Sequence, residues 1–229
     1  MILAVCNIKG GVGKTTLAVN IGIALARAGD DVLLVDGDEQ RTATAFTELR
    51  ETQRPGVVGY TAVALSGAAI RTQCRQLKSK YSQIVVDVGG RDTGSLRAAL
   101  MVADVALIPV QPRSFDLWGT DQMVSLIAEA REINEGLRAV AVLNLADPQG
   151  RDNGEAMAYL DGIQGLELAP GHIARRKVFP NAASLGESVF ELKDPNQKEA
   201  STRAREDMNR LINWLYAEIG TERNGKRWE

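Results

Sequence analysis

The chain opens on a short apolar run, Ile2 to Cys6, that leads through Asn7 and Ile8 into Lys9-Gly10-Gly11-Val12-Gly13-Lys14-Thr15-Thr16. Few short patterns restrict a fold so tightly. A buried strand, a glycine-rich turn and a helix starting at Lys14-Thr15 make an anion site, because backbone N–H groups and the helix N-terminus point at one spot. In such a loop Lys14 reaches the β- and γ-phosphates of a nucleotide and the Thr15 hydroxyl ligates Mg²⁺. Thr16 is expected at the α-phosphate, and the amides of Gly10, Gly11, Val12 and Gly13 complete the cradle. The predicted ligand is ATP with Mg²⁺.

The rest of the chain alternates apolar strands with amphipathic helices. Strands are predicted at Ile2–Cys6, Val32–Val35, Ile84–Val86, Val105–Ile108 and Ala139–Leu143, with a short one over Val57–Ala62 and a weaker element near Leu166–Ile173. Helices are predicted over Thr15–Ala28, Thr42–Glu51, Gly67–Lys80, from Phe115 to about Glu135, and over Gln197–Ile219. Gly29 closes the first of these and Pro55-Gly56 breaks the chain after the second. The last carries Met208, Leu211, Ile212, Leu215 and Ile219 on its inner face. Short strands separated by helices predict an α/β fold, a mainly parallel sheet with helices on both faces and ligands bound beyond the strands' carboxyl ends. One domain over 1–220 and a polar tail over 221–229 are expected.

Composition sets outer bounds. The 229 residues suit one α/β domain, and 45% hydrophobic with 24% charged residues is ordinary globular usage. The net charge of −2 makes the chain no polycation, so nucleic-acid binding would need a local patch. Cys6 and Cys74 have no metal-like spacing and read as buried free thiols. Neither a signal peptide nor a membrane-spanning stretch is recognisable, so a cytoplasmic location is expected.

Two acidic motifs follow strands. Val35-Asp36-Gly37-Asp38-Glu39-Gln40 comes after the second strand, and Ile84-Val85-Val86-Asp87 is a strand ending in a carboxylate. The usual loop pattern has glycine at position 8, where this chain has Ile8, and a second lysine, Lys9, precedes Gly10-Gly11. This K-G-G-x-G-K-T-T form resembles the deviant Walker A loop of the ParA/MinD family of ATPases. The acidic segments resemble that family's D-x-D-P-Q motif, with Glu39 in place of proline, and its Walker B strand. Gly89-Gly90 stands where many relatives have prolines. Asp104 to Pro112, Ser114 to Trp118, and Arg175-Arg176-Lys177-Val178-Phe179 with the residues after them resemble the small ParF-like plasmid-partition ParA proteins. The similarity spans nearly the whole chain.

The resemblance implies roles. Lys9 would reach the nucleotide of a partner subunit, so that ATP drives homodimerisation, while Lys14 and Asp38 would complete the catalytic set. Asp38 would position the attacking water. Asp36 and Asp87 would support the Mg²⁺ shell beside Thr15, partly through water. Asn144 would contact the adenine.

Charge is uneven along the chain. Residues 1–174 hold 16 Lys+Arg against 20 Asp+Glu, a net of −4, whereas residues 175–229 hold 11 against 9, a net of +2. The resemblance implies non-specific DNA binding by basic residues there once two subunits join, with Arg176, Lys177, Arg203 and Arg210 as candidates. The expected function is a positioning ATPase that rides on the nucleoid and segregates a plasmid or other cargo. A ParB-like or other cargo-adaptor protein would stimulate its hydrolysis. No operator-reading helix-turn-helix is expected, since the first strand starts at residue 2. Two alternatives stand beside this one. A MinD-like membrane-surface regulator would need a free amphipathic C-terminal helix. A P-loop metabolic enzyme would need other chemistry. An iron–sulfur reductase, for one, needs cysteines that Cys6 and Cys74 do not supply, and His172 reads as a loop residue.

Overall fold

In the computed structural model, residues 1–90, 93–112, 120–147, 150, 152–193 and 198–218 are described. Seven strands form one sheet in the order β3-β2-β4-β1-β5-β6-β7, and every pairing is parallel. The strands are β1 (Ile2–Cys6), β2 (Val32–Asp36), β3 (Thr61–Ala64), β4 (Gln83–Val88), β5 (Val105–Val110), β6 (Arg138–Ala146) and β7 (Glu167–Ala174). The helices are α1 (Lys14–Arg27), α2 (Thr42–Gln53), α3 (Ala68–Leu77), α4 (Thr93–Leu100), α5 (Thr120–Arg131), α6 (Asp152–Asp161), α7 (Val178–Ala183) and α8 (Lys198–Glu218).

The pleat divides each central strand between two cores. Leu3 and Val5 of β1 join one cluster with α1, α7 and α8, while Ile2, Ala4 and Cys6 join the other with α3, α4, α5 and α6. All of these β1 residues are buried, as parallel strands covered on both faces require. The same alternation puts Asp36 and Asp87 on the α1 face, two residues beyond Leu34 and Val85. They are also direct partners in the β2–β4 register.

Several elements depart from the sequence expectations. The third strand is Thr61–Ala64 rather than Val57–Ala62, and it is an edge strand with mostly exposed residues, so no apolar run marks it. Helices α4, α6 and α7 were not foreseen; they span 8, 10 and 6 residues, too short for a clear helical period. The helix expected from Phe115 is described only from Thr120, and Asn134 stops its run: its amide donates to Leu100 and Ala103 carbonyls at 2.9 and 2.8 Å. Residues 113–119, with Ser114 to Trp118, and the tail 221–229 lie outside the described residues.

Helix α8 spans Lys198–Glu218, and Met208, Leu211, Ile212 and Leu215 are all buried in the α1-side core. Arg205 is spent on structure, donating to the Val189 and Leu192 carbonyls at 2.9 and 2.8 Å. No described helix is long and apolar enough to cross a membrane.

One buried ion pair ties α2 to the segment before α8. Arg50 donates to both carboxylate oxygens of Glu191 at 2.9 and 2.8 Å, and to the carbonyls of Val57, Val58 and Gly186. Burial pushes the Glu191 carboxyl up, but hydrogen bonds from Arg50 and Ser188 outweigh it and bring it down to about 2. Glu191→Ala, which strands a buried guanidinium, is expected to cost about 3–5 kcal/mol at pH 7. Because the folded value is depressed, this stabilisation is complete above about 4.5 and is lost as pH falls through about 2. Chemical denaturation of both proteins across that range checks it. A gap that stayed constant down to pH 2 would contradict the charged pair.

Candidate nucleotide site

Connections from β1 run to one side of the sheet and those from β5 to the other, so the strand order reverses between them. The crevice at that reversal is where such sheets bind ligands. Three amide side chains from strand ends hold the glycine loop there. Asn7 accepts from the Lys9 N–H at 2.9 Å and donates to the Pro109 carbonyl at 2.8 Å, bridging β1 and β5. Gln111, just past β5, donates to the Gly11 carbonyl at 2.9 Å. Asn144 of β6 donates to the Val12 carbonyl at 2.7 Å. Gly13 has φ 87°, and a Cβ there would collide with the Asn144 amide, so this position requires glycine on both counts.

Helix α1 starts immediately after, with no side-chain cap, which leaves its first N–H groups for an anion. Lys14 is buried, and its ammonium donates to the Lys9 carbonyl at 2.8 Å. Burial pushes its pKa down, while Asp87 and Asp38 push it back up. A cavity of about 620 Å³ opens over the loop, lined by Gly10, Gly11, Gly13, Lys14, Thr15, Thr16 and Asp38 among others. A second chamber of about 640 Å³ shares Gly11, Thr16 and Leu145 with it and runs along Gln111, Asn144, Ile173, Arg176, Lys177 and Phe179. Phosphates fit the first and a base the second, with Thr16 at the junction. Each lies within the size range of small-molecule sites.

The acidic residues divide their work. Asp87 is fully buried, and among the described residues neither carboxylate oxygen meets a hydrogen-bond partner in full geometry, although the Thr15 hydroxyl lies close enough to act on it. Burial pushes its carboxyl up to about 7; Thr15 and Lys14 lower it and the carboxylates of Asp36 and Asp38 raise it further. An orphaned carboxylate beside Lys14 and Thr15 fits a cation. Among the described residues no cluster of three acidic, His or Cys ligands forms. Asp36 accepts from the Thr44 N–H and hydroxyl, both at 2.7 Å, and from the Asp38 N–H at 3.2 Å, so it anchors the Asp38 turn. Asp38 accepts from the Gln40 N–H at 2.9 Å. That bond, and not a proline at Glu39, shapes the turn. Lys9 is half-exposed and, among the described residues, makes no ion pair.

The candidate DNA residues separate. Arg176 is only 16% exposed at its side chain, pairs with Asp207 at 3.2 Å and lines the base chamber, as does exposed Lys177. Arg203 and Arg210 lie exposed on α8, and each has an acidic neighbour, Glu199 and Asp207. Sequence reasoning missed Asn7 as a site residue and reached Gln111 only within the segment Pro109 to Asp116, a candidate lining of the dimer face or the base pocket. Asn7 stands just past an apolar strand, and that is the signal that could have found it.

The fold and loop define a P-loop nucleotide-binding protein. The profile of the CobQ/CobB/MinD/ParA nucleotide binding domain matches residues 3–189, and the chain belongs to that family. It is similar to the maintenance of carboxysome distribution protein A of Halothiobacillus neapolitanus, 30% identical over 213 residues, covering 92% of this chain and 94% of that one. It is also similar to the Protein ParA of Rhizobium radiobacter, at 26% identity over 84% of this chain and 86% of that one. Among solved structures, the MinD cell division protein of Aquifex aeolicus shares the fold with a TM-score of 0.72 at 22% identity, covering 94% and 97% of the two chains.

Proposed function

We propose that this chain is a positioning ATPase of the ParA/MinD type. It dimerises on ATP, binds DNA without sequence preference and moves a plasmid or other cargo. One observation carries this: the second loop lysine, Lys9, stands half-exposed between Ile8 and Gly10, which line the phosphate chamber, and makes no ion pair among the described residues, while Lys14 is drawn inward onto Lys9's own carbonyl. A cation left over at the rim suits the triphosphate of a second subunit, since charge on the two nucleotides is then neutralised only in the dimer.

Within one subunit the loop amides and Lys14 bind the phosphates, and Thr15 with Asp87 would hold Mg²⁺. The bound cation would neutralise charge on the transferring phosphoryl group. Asp38 orients the attacking water. An adaptor protein on the cargo stimulates turnover and releases the dimer. The cargo is a plasmid, a chromosome region or a protein assembly, the last supported by the similarity to a carboxysome distribution protein. Burial of the α8 apolar stripe weighs against a membrane-surface role for this helix.

Light scattering with Mg²⁺ and a non-hydrolysable ATP analogue tests the reading. Wild type is expected to dimerise and Lys9→Ala to remain monomeric at the same nucleotide occupancy. Full dimerisation of the variant would remove Lys9 from the interface.

DNA affinity is expected in the ATP form and to weaken with ADP. Each phosphate contact contributes about 0.9 to the log–log salt slope, so a combined Lys177→Ala, Arg203→Ala, Arg210→Ala variant should lower the slope by up to about 2.7 per subunit. Arg176 is kept intact because its side chain is only 16% exposed and is paired with Asp207. An unchanged slope would move the DNA surface off this face.

A further inference from the structure

We propose that Arg41 of each subunit reaches the triphosphate bound by the other, as a second cation beside Lys9 in the ATP dimer. This rests on the dimerisation reading above. Among the described residues only Arg41 and Leu145 hold a positive φ without being glycine. Leu145 lines the phosphate chamber, and Arg41 sits between two residues that line it too, Gln40 and Thr42. Arg41 has φ 53° and ψ 35°, the left-handed region, which glycine enters freely and a residue with a Cβ enters at a cost in stability. Backbone bonds fix it there: its N–H donates to the Asp38 carbonyl at 3.0 Å, and its carbonyl accepts from the Ala45 N–H at 2.9 Å. Nothing its side chain does within the subunit offsets that cost. It is exposed, gives α2 no side-chain cap, and makes no ion pair or side-chain hydrogen bond among the described residues. Glycine would serve this turn better. An arginine kept there against its backbone preference points to work outside the subunit.

The placement matches that of Lys9. Lys9 lies between Ile8 and Gly10 as Arg41 lies between Gln40 and Thr42; all four neighbours line the phosphate chamber, and neither cation belongs to the lining itself. Both cations are therefore held beside the chamber and not over their own subunit's phosphates, which Lys14, the loop amides and the α1 N-terminus answer. A triphosphate carries more negative charge than one lysine from a partner neutralises. A guanidinium suits the remainder, since it stays charged and offers a planar fork of N–H donors that matches two phosphate oxygens. DNA phosphates would accept the same fork, but Arg41 stands three residues past Asp38 and next to a nucleotide chamber, where the nucleotide is the nearer polyanion.

Light scattering on the full chain, titrated in protein with Mg²⁺ and a non-hydrolysable ATP analogue, tests this with Arg41→Gly and Arg41→Gln. Both remove the charge, and only glycine relieves the backbone. Each is expected to weaken the dimer by at least about 10-fold. ATP affinity of the dilute monomer should stay within about threefold of wild type. Without nucleotide, Arg41→Gly should unfold about 2–4 °C higher than wild type, and Arg41→Gln should not. A dimer as tight as wild type's in either variant overturns the inference, and if DNA affinity alone were lost the arginine would belong to DNA. A larger loss of ATP affinity in the monomer would place Arg41 on its own subunit's nucleotide. A lower unfolding temperature for Arg41→Gly would make it a structural residue. Either result overturns the inference as well. Failure of Lys9→Ala to dimerise, beside Arg41 variants that dimerise normally, would leave the dimer reading standing. A wild type that stays monomeric with the analogue overturns both.

Discussion

Asp38→Ala is expected to bind ATP as well as the parent protein and to lose turnover by a factor on the order of 10² to 10⁴. Asp38 lines the phosphate chamber together with Lys14 and is half-buried. Its turn is held by the Gln40 N–H on its own oxygen and by Asp36 on its backbone N–H. Phosphate charge in that chamber is already answered by Lys14, the loop amides and the helix N-terminus. A further negative group adds nothing to ground-state binding. What it can do is accept a hydrogen bond from water and aim it. Removing it should leave an ATP-bound dimer that stays on DNA. Nucleotide affinity and steady-state phosphate release, measured on one preparation, decide the matter. Near-normal release would shift the water-orienting role to Asp36 or Asp87, and lost ATP binding would make Asp38 part of the fold.

Gly90→Ala should disable the site through its backbone. A Cβ at Gly90 would stand inside contact distance of the Ile8 carbonyl oxygen, 2.5 Å from the carbonyl carbon and 2.7 Å from the Asn7 carbonyl oxygen. These are backbone atoms, so no side chain can swing away. The strand end that launches the phosphate loop would have to move, and Asn7 and Lys9 with it. Overpacking of this kind costs roughly 3 kcal/mol or more, and the displaced loop should bind ATP at least about 100-fold more weakly. Gly10→Ala serves as the comparison, since nothing lies within 4 Å of a Cβ there. Thermal unfolding and nucleotide titration of both variants check this. If Gly90→Ala matched Gly10→Ala in both, the close approach would carry no weight. The neighbouring Gly89 is under a similar constraint, because a Cβ there would meet the Asp38 carboxylate at 2.6 Å. A proline at either position would need the same space, which explains the glycine pair.

The loop, both acidic motifs and all five strong strands were legible because each is a local pattern. An apolar run ending in Asp36 or Asp87 says that a carboxylate sits at the edge of a sheet. It does not say what the carboxylate touches. Asp36 proves to anchor a turn through Thr44, eight residues on, whereas buried Asp87 has only the nearby Thr15 and Lys14 to answer its charge. The basic residues near the C-terminus read alike in the sequence. In the fold they part company: Arg205 is bonded to loop carbonyls, Arg176 lines the base chamber, and Arg203 faces solvent.

By itself the sequence determined the α/β class, the phosphate loop and the order of the acidic residues behind it. Those depend on strand and helix periodicity and on backbone freedom at glycine, which neighbours in the chain decide. Only the tertiary structure decided which distant groups hold the loop. Gln111 and Asn144 reach Gly11 and Val12 across 100 and 132 residues, because β5 lies beside β1 in the sheet and β6 beside β5. It also decided that Gly90 must lack a side chain and that Arg176 lines the chamber beside the phosphate loop. Such facts come from the order of strands in a sheet, and strand order is settled by how two cores pack on its faces, not by any local stretch of chain.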